Sequence, residues 1–277
     1  MRNSLNVCVI QPELHRHNTE GNLLNIQRMI ESAAKESALD LVILPENFVM
    51  WGSEAGIERD PAPIIDFLAD LAITYSSYII GGSFHRLNEI TGEYFNTCFV
   101  FDRQGEIIGS YSKRKLYDRE LKFGVTPGGE PGIFNIEEWR VGILICADLW
   151  YPELSRALME RVDIIAVPAQ SVVRNSAYQE YGRYLWHALA LTRAQENAVI
   201  TMVADHPALP RKPYCAGGYS ICDPSMSVET SDMNKIQLKD CQGMPGFIVA
   251  KLDHHRLSTF RQYRADRGLL PNYNDNH

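Results

Sequence analysis

Short β-branched and apolar runs alternate with longer stretches of helical spacing along most of this chain. The runs at 5–10, 41–44, 78–83, 97–101 and 107–110, and again at 141–145, 164–168, 198–204, 218–222 and 247–252, have the length and residue types of strands. Between them, residues 22–37 place Leu23, Ile26, Ile30, Ala33 and Ala34 at three- and four-residue spacing, and residues 63–75 do the same with Ile64, Phe67, Leu68, Leu71 and Ala72. Both segments predict helices that turn one face to a core. Residues 152–161 and the longer 178–197, with Tyr181, Leu185, Leu189 and Thr192 on one side, predict two more.

The pattern repeats coarsely. Leu41-Val42-Ile43-Leu44-Pro45-Glu46 is echoed by Ile164-Ile165-Ala166-Val167-Pro168-Ala169, and each is followed by a helix and a further strand. This predicts two α/β halves related by a pseudo-twofold, with helices covering the outer faces of the sheets. No linker rich in Pro, Gly or Ser divides the halves, because the turn cluster at 126–132 is too short to tether domains. A single domain over 1–277 is expected. From about Arg256 onward the chain carries arginines with Tyr263 and Tyr273 but little periodicity, and this tail is expected to pack on a partner subunit.

Composition narrows the function classes. With 45% apolar and 22% charged residues in 277, the chain has enough material for a large core. A formal net charge of -7 argues against a nucleic-acid partner, which needs a basic face. No run approaches the roughly 18 apolar residues of a membrane span, and Met1-Arg2-Asn3-Ser4 leads into a strand-like run without a secretory segment, so a cytoplasmic protein with no membrane partner is expected. The six cysteines are scattered, and Cys8, Cys98 and Cys146 lie in or beside apolar runs as reduced thiols do. Neither CxxC nor a Cys/His pairing of zinc spacing occurs, and His15, His17, His254 and His255 read as surface residues.

Three positions carry chemistry. Cys146 closes the run at 141–145, at the strand end where α/β architectures place reacting groups, and a nearby helix N-terminus or cation would favour its thiolate. A buried inert thiol is the alternative at such a position. Glu46 follows the run at 41–44 through Pro45 and precedes Asn47, Phe48 and Trp51. Apolar neighbours disfavour a charged carboxylate, which suits a general base, although a turn cap would use the same residue type. In Tyr111-Ser112-Lys113-Arg114-Lys115-Leu116-Tyr117-Asp118, either Lys113 or Lys115 could stabilise an oxyanion, and alternation along a strand does not choose between them.

Together and in this order, Leu44-Pro45-Glu46-Asn47-Phe48, the segment Tyr111 to Asp118, Gly142-Ile143-Leu144-Ile145-Cys146-Ala147-Asp148 and Thr192-Arg193-Ala194-Gln195-Glu196-Asn197 resemble the nitrilase (carbon-nitrogen hydrolase) superfamily. The resemblance implies an α/β fold, a four-layer αββα sandwich of two β-sheets, and a triad of Glu46, Lys113 and Cys146. It selects Lys113 as the triad lysine and leaves Lys115 where many relatives carry histidine. Glu120, ahead of Val125-Thr126-Pro127-Gly128, matches an assisting glutamate. Cys146-Ala147-Asp148 is similar to the Cys-x-Asp pattern of amidases, whereas nitrilases usually show Cys-Trp-Glu.

The implied reaction is cleavage of a non-peptide C–N bond in a small amide or N-carbamoyl compound. It runs through a cysteine thioester, releases ammonia and uses no metal or organic cofactor. A nitrilase or an amide-forming acyltransferase on the same triad is the alternative, and a non-catalytic binding protein is another. Such proteins assemble as homodimers or higher homo-oligomers. By position, Phe48, Trp51, Tyr117, Trp150, Tyr151, Arg174 and Tyr178 are substrate-binding candidates, with Arg174 suited to a substrate carboxylate.

Overall fold

The first half of the chain forms β1 (Ser4–Gln11), α1 (Thr19–Glu36), β2 (Leu41–Ile43), β3 (Ile57–Glu58), α2 (Ala62–Tyr75), β4 (Tyr78–Ile80), β5 (Phe84–Asn88), β6 (Glu93–Phe101) and β7 (Ile107–Ser112). Then come α3 (Arg119–Lys122), β8 (Gly132–Ile136), β9 (Trp139–Ile143), α4 (Pro152–Arg156), β10 (Ile164–Pro168), α5 (Gln179–Asn197) and β11 (Ile200–Ala204). The chain finishes with β12 (Ser220–Cys222), α6 (Met233–Ile236), β13 (Gln237–Lys239), β14 (Gly246–Asp253) and α7 (His254–Ala265). The structure, a computed structural model, describes residues 3–49, 57–58, 61–159 and 161–270; Trp51 and Tyr273 lie outside them.

The strands build two sheets, ordered β14-β1-β2-β4-β6-β5-β3 with β7 on β6, and β13-β12-β11-β10-β9-β8. In the first, β1, β2 and β4 run parallel and are flanked by antiparallel β14 and β6. In the second, β9, β10 and β11 run parallel and are flanked by antiparallel β8 and β12. The succession is the same, so β2 corresponds to β10, α2 to α5, β4 to β11 and β6 to β12, as the sequence echo anticipates.

Period-two alternation sorts the side chains of the first sheet between two cores. Leu5, Val7, Val9, Leu41 and Ile43 face the core shared with β9, β10 and β11 of the second sheet. Cys8, Ile10, Val42 and Leu44 face the core under Ile26 and Ile30 of α1 and Leu68 and Leu71 of α2. On the far side, Leu154 of α4 and Trp186, Ala190 and Ala194 of α5 cover the second sheet. The layers are therefore helix, sheet, sheet, helix. All six cysteines are free thiols, and among the described residues no helix is long and apolar enough to cross a membrane.

Residues 256–265, the start of what was expected to be a tail of little periodicity, belong to the helix α7. Its inward face is narrow and partly charged, which hides it from an apolar-periodicity reading: Leu257, Phe260 and Arg261 of α7 are the buried positions. Arg261 donates to Asp163 Oδ1 at 2.7 Å, to the Val162 carbonyl at 2.7 Å and to the Ala198 carbonyl at 2.9 Å, so this helix packs on its own chain. Burial opposes the Asp163 carboxylate, but hydrogen bonding from His254 and the Arg261 guanidinium hold it well below the ordinary range.

Replacing Arg261 with Met leaves that carboxylate buried without its cation. The expected loss is about 3–5 kcal/mol of unfolding free energy at neutral pH, read from urea titrations. Because the folded state depresses the Asp163 pKa, the pair's contribution is complete above about pH 4 and is lost as pH falls further. The gap between Arg261→Met and the parent should therefore narrow only in acid; equal midpoints at pH 7 would count against the pair.

Candidate active site

Two strand ends deliver the central groups. Past β2, the chain turns at Pro45-Glu46-Asn47. The Glu46 N–H donates to the Ala169 carbonyl beyond β10 (3.3 Å), and the Asn47 N–H donates to the Ser83 carbonyl beyond β4 (2.7 Å), so this turn is tied to both sheets. Asn47 holds φ 51°, a left-handed conformation that Asn tolerates better than most residues. His206 Nε2–H donates to the Glu46 carbonyl at 2.6 Å.

Past β9, Cys146 sits at φ 46° and opens a 3-10 turn, Cys146–Trp150. A side chain in that conformation stores about 1–3 kcal/mol, so the surroundings must enforce it. Asp148 does so. Its Oδ2 accepts from the Ile145 N–H (3.0 Å) and the Tyr111 hydroxyl (2.8 Å), and its Oδ1 accepts from the N–H groups of Lys115 (2.7 Å) and Arg114 (3.2 Å). One carboxylate thereby fixes both the turn carrying the thiol and the loop carrying Lys113.

Lys113 is almost fully buried. Its Nζ donates to Glu46 Oε1 at 2.8 Å and to Glu120 Oε2 at 2.7 Å. Opposite it, Asn96 Nδ2 donates to the same Glu46 Oε1 at 2.8 Å and to Glu120 Oε1 at 2.7 Å. The four side chains close a ring. Glu120, from the first turn of α3, also accepts from the Tyr117 N–H (2.9 Å), and His85 Nε2 lies 3.2 Å from its Oε1. Gln170 links carboxylate and thiol: its N–H donates to Glu46 Oε2 at 3.1 Å, and Cys146 Sγ lies 3.6 Å from its carbonyl oxygen.

Charge follows from this packing. Burial works against the Lys113 ammonium, yet the carboxylates of Glu46 and Glu120 and the facing Cys146 more than offset it, so lysine is held charged above its ordinary range. Burial likewise opposes the Glu120 carboxylate, but Lys113 and the hydrogen-bond donors hold it down at about 2. The thiol goes the other way. Burial first, and the Glu46 carboxylate second, push Cys146 well above the usual thiol value, with Lys113 pulling back too weakly to prevail. Lys113 is thus a cation that favours the thiolate, but burial and the Glu46 carboxylate outweigh it. Burial also pushes the Asp148 carboxyl upward.

A cavity of about 370 Å³ opens onto Glu46, Lys113, Glu120 and Cys146. Of the substrate-binding candidates, Tyr117 and Arg174 line it. Phe48, Trp150 and Tyr151 do not. Phe48 is fully buried under the first sheet, edge-on to Phe84 at 6.4 Å. The 3-10 turn carries Trp150 outward against Trp186 (6.1 Å), and the half-exposed Tyr151 ring lies under the Lys115 ammonium (4.3 Å). Tyr178 is exposed at the start of α5. Lys115, with its Nζ 3.4 Å from Glu153, stays outside the ring of buried groups.

Sequence reading passed over Asn96, His85, Gln170 and His206. Asn96 precedes the run at 97–101, because β6 begins upstream at Glu93 in polar and aromatic residues. The β5–β6 register sets His85 directly opposite Asn96. An amide inside the aromatic-rich Tyr94-Phe95-Asn96-Thr97 was the available signal, since such a strand rarely buries an amide without a partner to satisfy it.

Residues 6–228 match the carbon-nitrogen hydrolase family model. The chain is similar to the Saccharomyces cerevisiae protein described as omega-amidase NIT3, at 27% identity over 93% of this chain and 90% of that one. It is also similar to human omega-amidase NIT2, at 28% identity over 78% of this chain and 80% of that one. Among solved structures, yeast Nit3, a member of branch 10 of the nitrilase superfamily, superposes with a TM-score of 0.79 at 25% identity and covers 94% of each chain.

The ring makes Asn96 a positioning residue for both carboxylates. Asn96→Ala removes two charge-assisted hydrogen bonds and should lower kcat by about 10- to 100-fold, at about 1.5–3 kcal/mol for such bonds, with KM little changed. Steady-state kinetics on an amide would check this. A rise in KM at constant kcat would place Asn96 on the substrate instead.

Proposed function

Because the chain belongs to the carbon-nitrogen hydrolase family, we propose that it is an amidase that hydrolyses the carboxamide of a small carboxylate-bearing substrate through a thioester on Cys146. The observation that carries this reading is the placing of Cys146 on one cavity with the closed ring of Glu46, Lys113, Glu120 and Asn96, where burial and the Glu46 carboxylate push the thiol pKa up. A thiol that rests protonated needs a base, and Glu46 is the carboxylate facing it.

In the first half-reaction Glu46 takes the Cys146 proton as sulfur attacks the amide carbon. An ammonium has three N–H donors, and Lys113 commits two of them to Glu46 and Glu120. The third, with the N–H of Ala147, holds the oxyanion. Glu46 returns its proton to the leaving nitrogen and ammonia departs. Glu46 then takes a proton from water, whose oxygen attacks the thioester; collapse releases the free acid and the thiol. Glu120 keeps Lys113 in place and stays ionised throughout. Arg174 on the cavity rim supports a substrate carboxylate, and the similar proteins described as omega-amidases support an amide at the far end from that carboxylate.

We infer further that the protein works in the cytoplasm as a homodimer. Tyr181 and Tyr184, one helical turn apart on α5 and each about two-thirds exposed, form an aromatic pair of the kind a second copy covers. Light scattering at micromolar concentration should give twice the 31.4 kDa chain mass, and Tyr181→Glu with Tyr184→Glu should return the monomer. A parent protein that is already monomeric would exclude the dimer.

An ammonia-release assay over dicarboxylate monoamides, N-carbamoyl amino acids and neutral amides tests the activity. Cys146→Ala should abolish release while its circular dichroism stays native. Arg174→Ala should raise KM for carboxylated amides about ten-fold or more, the worth of a charge-assisted pair, and leave neutral amides where they were. Turnover persisting in Cys146→Ala would end the proposal, and an unmoved KM would remove Arg174 from substrate binding.

A further inference from the structure

The cavity rim carries more positive charge than one carboxylate requires. Arg16, Arg119, Arg174 and Lys212 all line it, and among the described residues none of them forms an ion pair. Beyond the two buried glutamates, the acidic group on the lining is Asp118, whose carboxylate is 2.5 Å from Lys122 Nζ and so is already engaged. The chain as a whole carries a formal charge of -7, so this is a local concentration and not a general excess of lysine and arginine.

A side basin of about 230 Å³ opens beside the cavity, and Arg16, Lys212 and Pro213 line both spaces. Its walls are partly apolar, with Leu14, Pro207 and Leu209. The other arginine there is held within the protein, because Arg211 pairs with Glu13 at 3.0 Å, and His15 Nε2 lies 3.3 Å from the same carboxylate. Among the described residues, exposed Arg16 and Lys212 form no ion pair, and both line the two spaces. His206 also lines the basin, and its Nε2–H fixes the Glu46 carbonyl, so an occupant would lie next to the support of the proposed catalytic base.

Resting on the amidase reading, we propose that the acyl part of the substrate carries two anionic groups. One is anchored by Arg174. The second sits at the end of a tail that enters the side basin and meets Arg16 and Lys212. A single-carboxylate amide would occupy the cavity and leave those two cations without a counter-charge. A tail three or four bonds longer, apolar in its middle and anionic at its end, matches the walls and the charges in that order. A terminal carboxylate or phosphoryl group would serve, and the test separates them.

N-acetylglutamine, N-succinylglutamine and N-(phosphonoacetyl)glutamine share a carboxamide and an α-carboxylate, and differ in whether the tail ends uncharged, in a carboxylate or in a phosphonate. Calorimetric binding to the Cys146→Ala protein should favour at least one charged tail over the acetyl compound by about five- to ten-fold, the scale of a partly exposed ion pair. The preference should shrink as salt rises. Arg16→Gln combined with Lys212→Gln should bring the ratio to about one, and the tighter of the two charged compounds identifies the terminal group. Equal binding of all three, binding of none, or a ratio that survives the double substitution would overturn the proposal. Ammonia release from the same compounds by the parent protein reports separately on the amidase reading. A preserved binding preference without ammonia release would sink that reading alone, and ammonia release without a preference would sink the second anionic site alone.

Discussion

One buried ammonium between two buried carboxylates governs the rest of this molecule. Taken from water singly, each of these charges would be disfavoured by several kcal/mol, and their attraction compensates only when hydrogen bonds occupy the remaining donors and acceptors. Lys113, Glu46 and Glu120 meet that condition at 2.7–2.8 Å, and their surplus negative charge is met by the two N–H groups of Asn96. The requirement is strict enough to dictate chain paths. The turn after β2, the loop after β7, the short α3 and the middle of β6 must all reach one point, and each is pinned there by backbone bonds to its neighbours.

The pseudo-twofold explains how two sheets come to share that point. Pro45-Glu46-Asn47 after β2 and Pro168-Ala169-Gln170 at the end of β10 are equivalent segments, and they touch: the Glu46 N–H donates to the Ala169 carbonyl, and Asn47 Nδ2 donates to Gln170 Oε1 at 3.3 Å. Symmetry of the backbone has been kept while the chemistry has diverged. The first segment supplies a side-chain carboxylate; the second supplies only the Gln170 peptide, whose N–H meets Glu46 and whose carbonyl oxygen meets the Cys146 thiol. A repeat that was visible as a sequence echo is thus the reason that Glu46 and Cys146 face each other.

Legibility in the sequence followed the range of the forces involved. The parallel strands and long helices bury whole faces, so their periodicity survives in the order of apolar residues, and Leu41 to Ile43 or Ile164 to Pro168 could be read almost to the residue. Glu46 and Cys146 were readable because a polar or reactive group at the end of an apolar run breaks that pattern. Lys113 could not be told from Lys115 by alternation, since both follow the last residue of β7 and their fates are set by what faces them: two carboxylates for one, the Tyr151 ring and Glu153 for the other. Asn96, His85 and His206 act by hydrogen bonds to residues between 24 and 160 positions away, and no local pattern encodes such a partner. Proximity in sequence misled in the opposite sense, because Trp150 and Tyr151 lie close to Cys146 along the chain while a 3-10 turn carries them outside the cavity.

The electrostatics of the thiol constrain the order of events. Many reactive cysteines rest as thiolates because a cation or a helix dipole lowers their pKa. Here Lys113 is the nearby cation, but two glutamates already claim it, and its pull on sulfur loses to burial and to the facing Glu46 carboxylate. A resting thiolate would add a further negative charge to a buried group that already has one in surplus. In the proposed reaction, deprotonation therefore becomes favourable only as charge moves off sulfur onto the carbonyl oxygen of a bound amide, where the remaining lysine N–H can meet it. On this account proton transfer and attack are coupled by the charge balance of the ring, and the strained φ of Cys146, held by Asp148, aims the sulfur before the proton leaves.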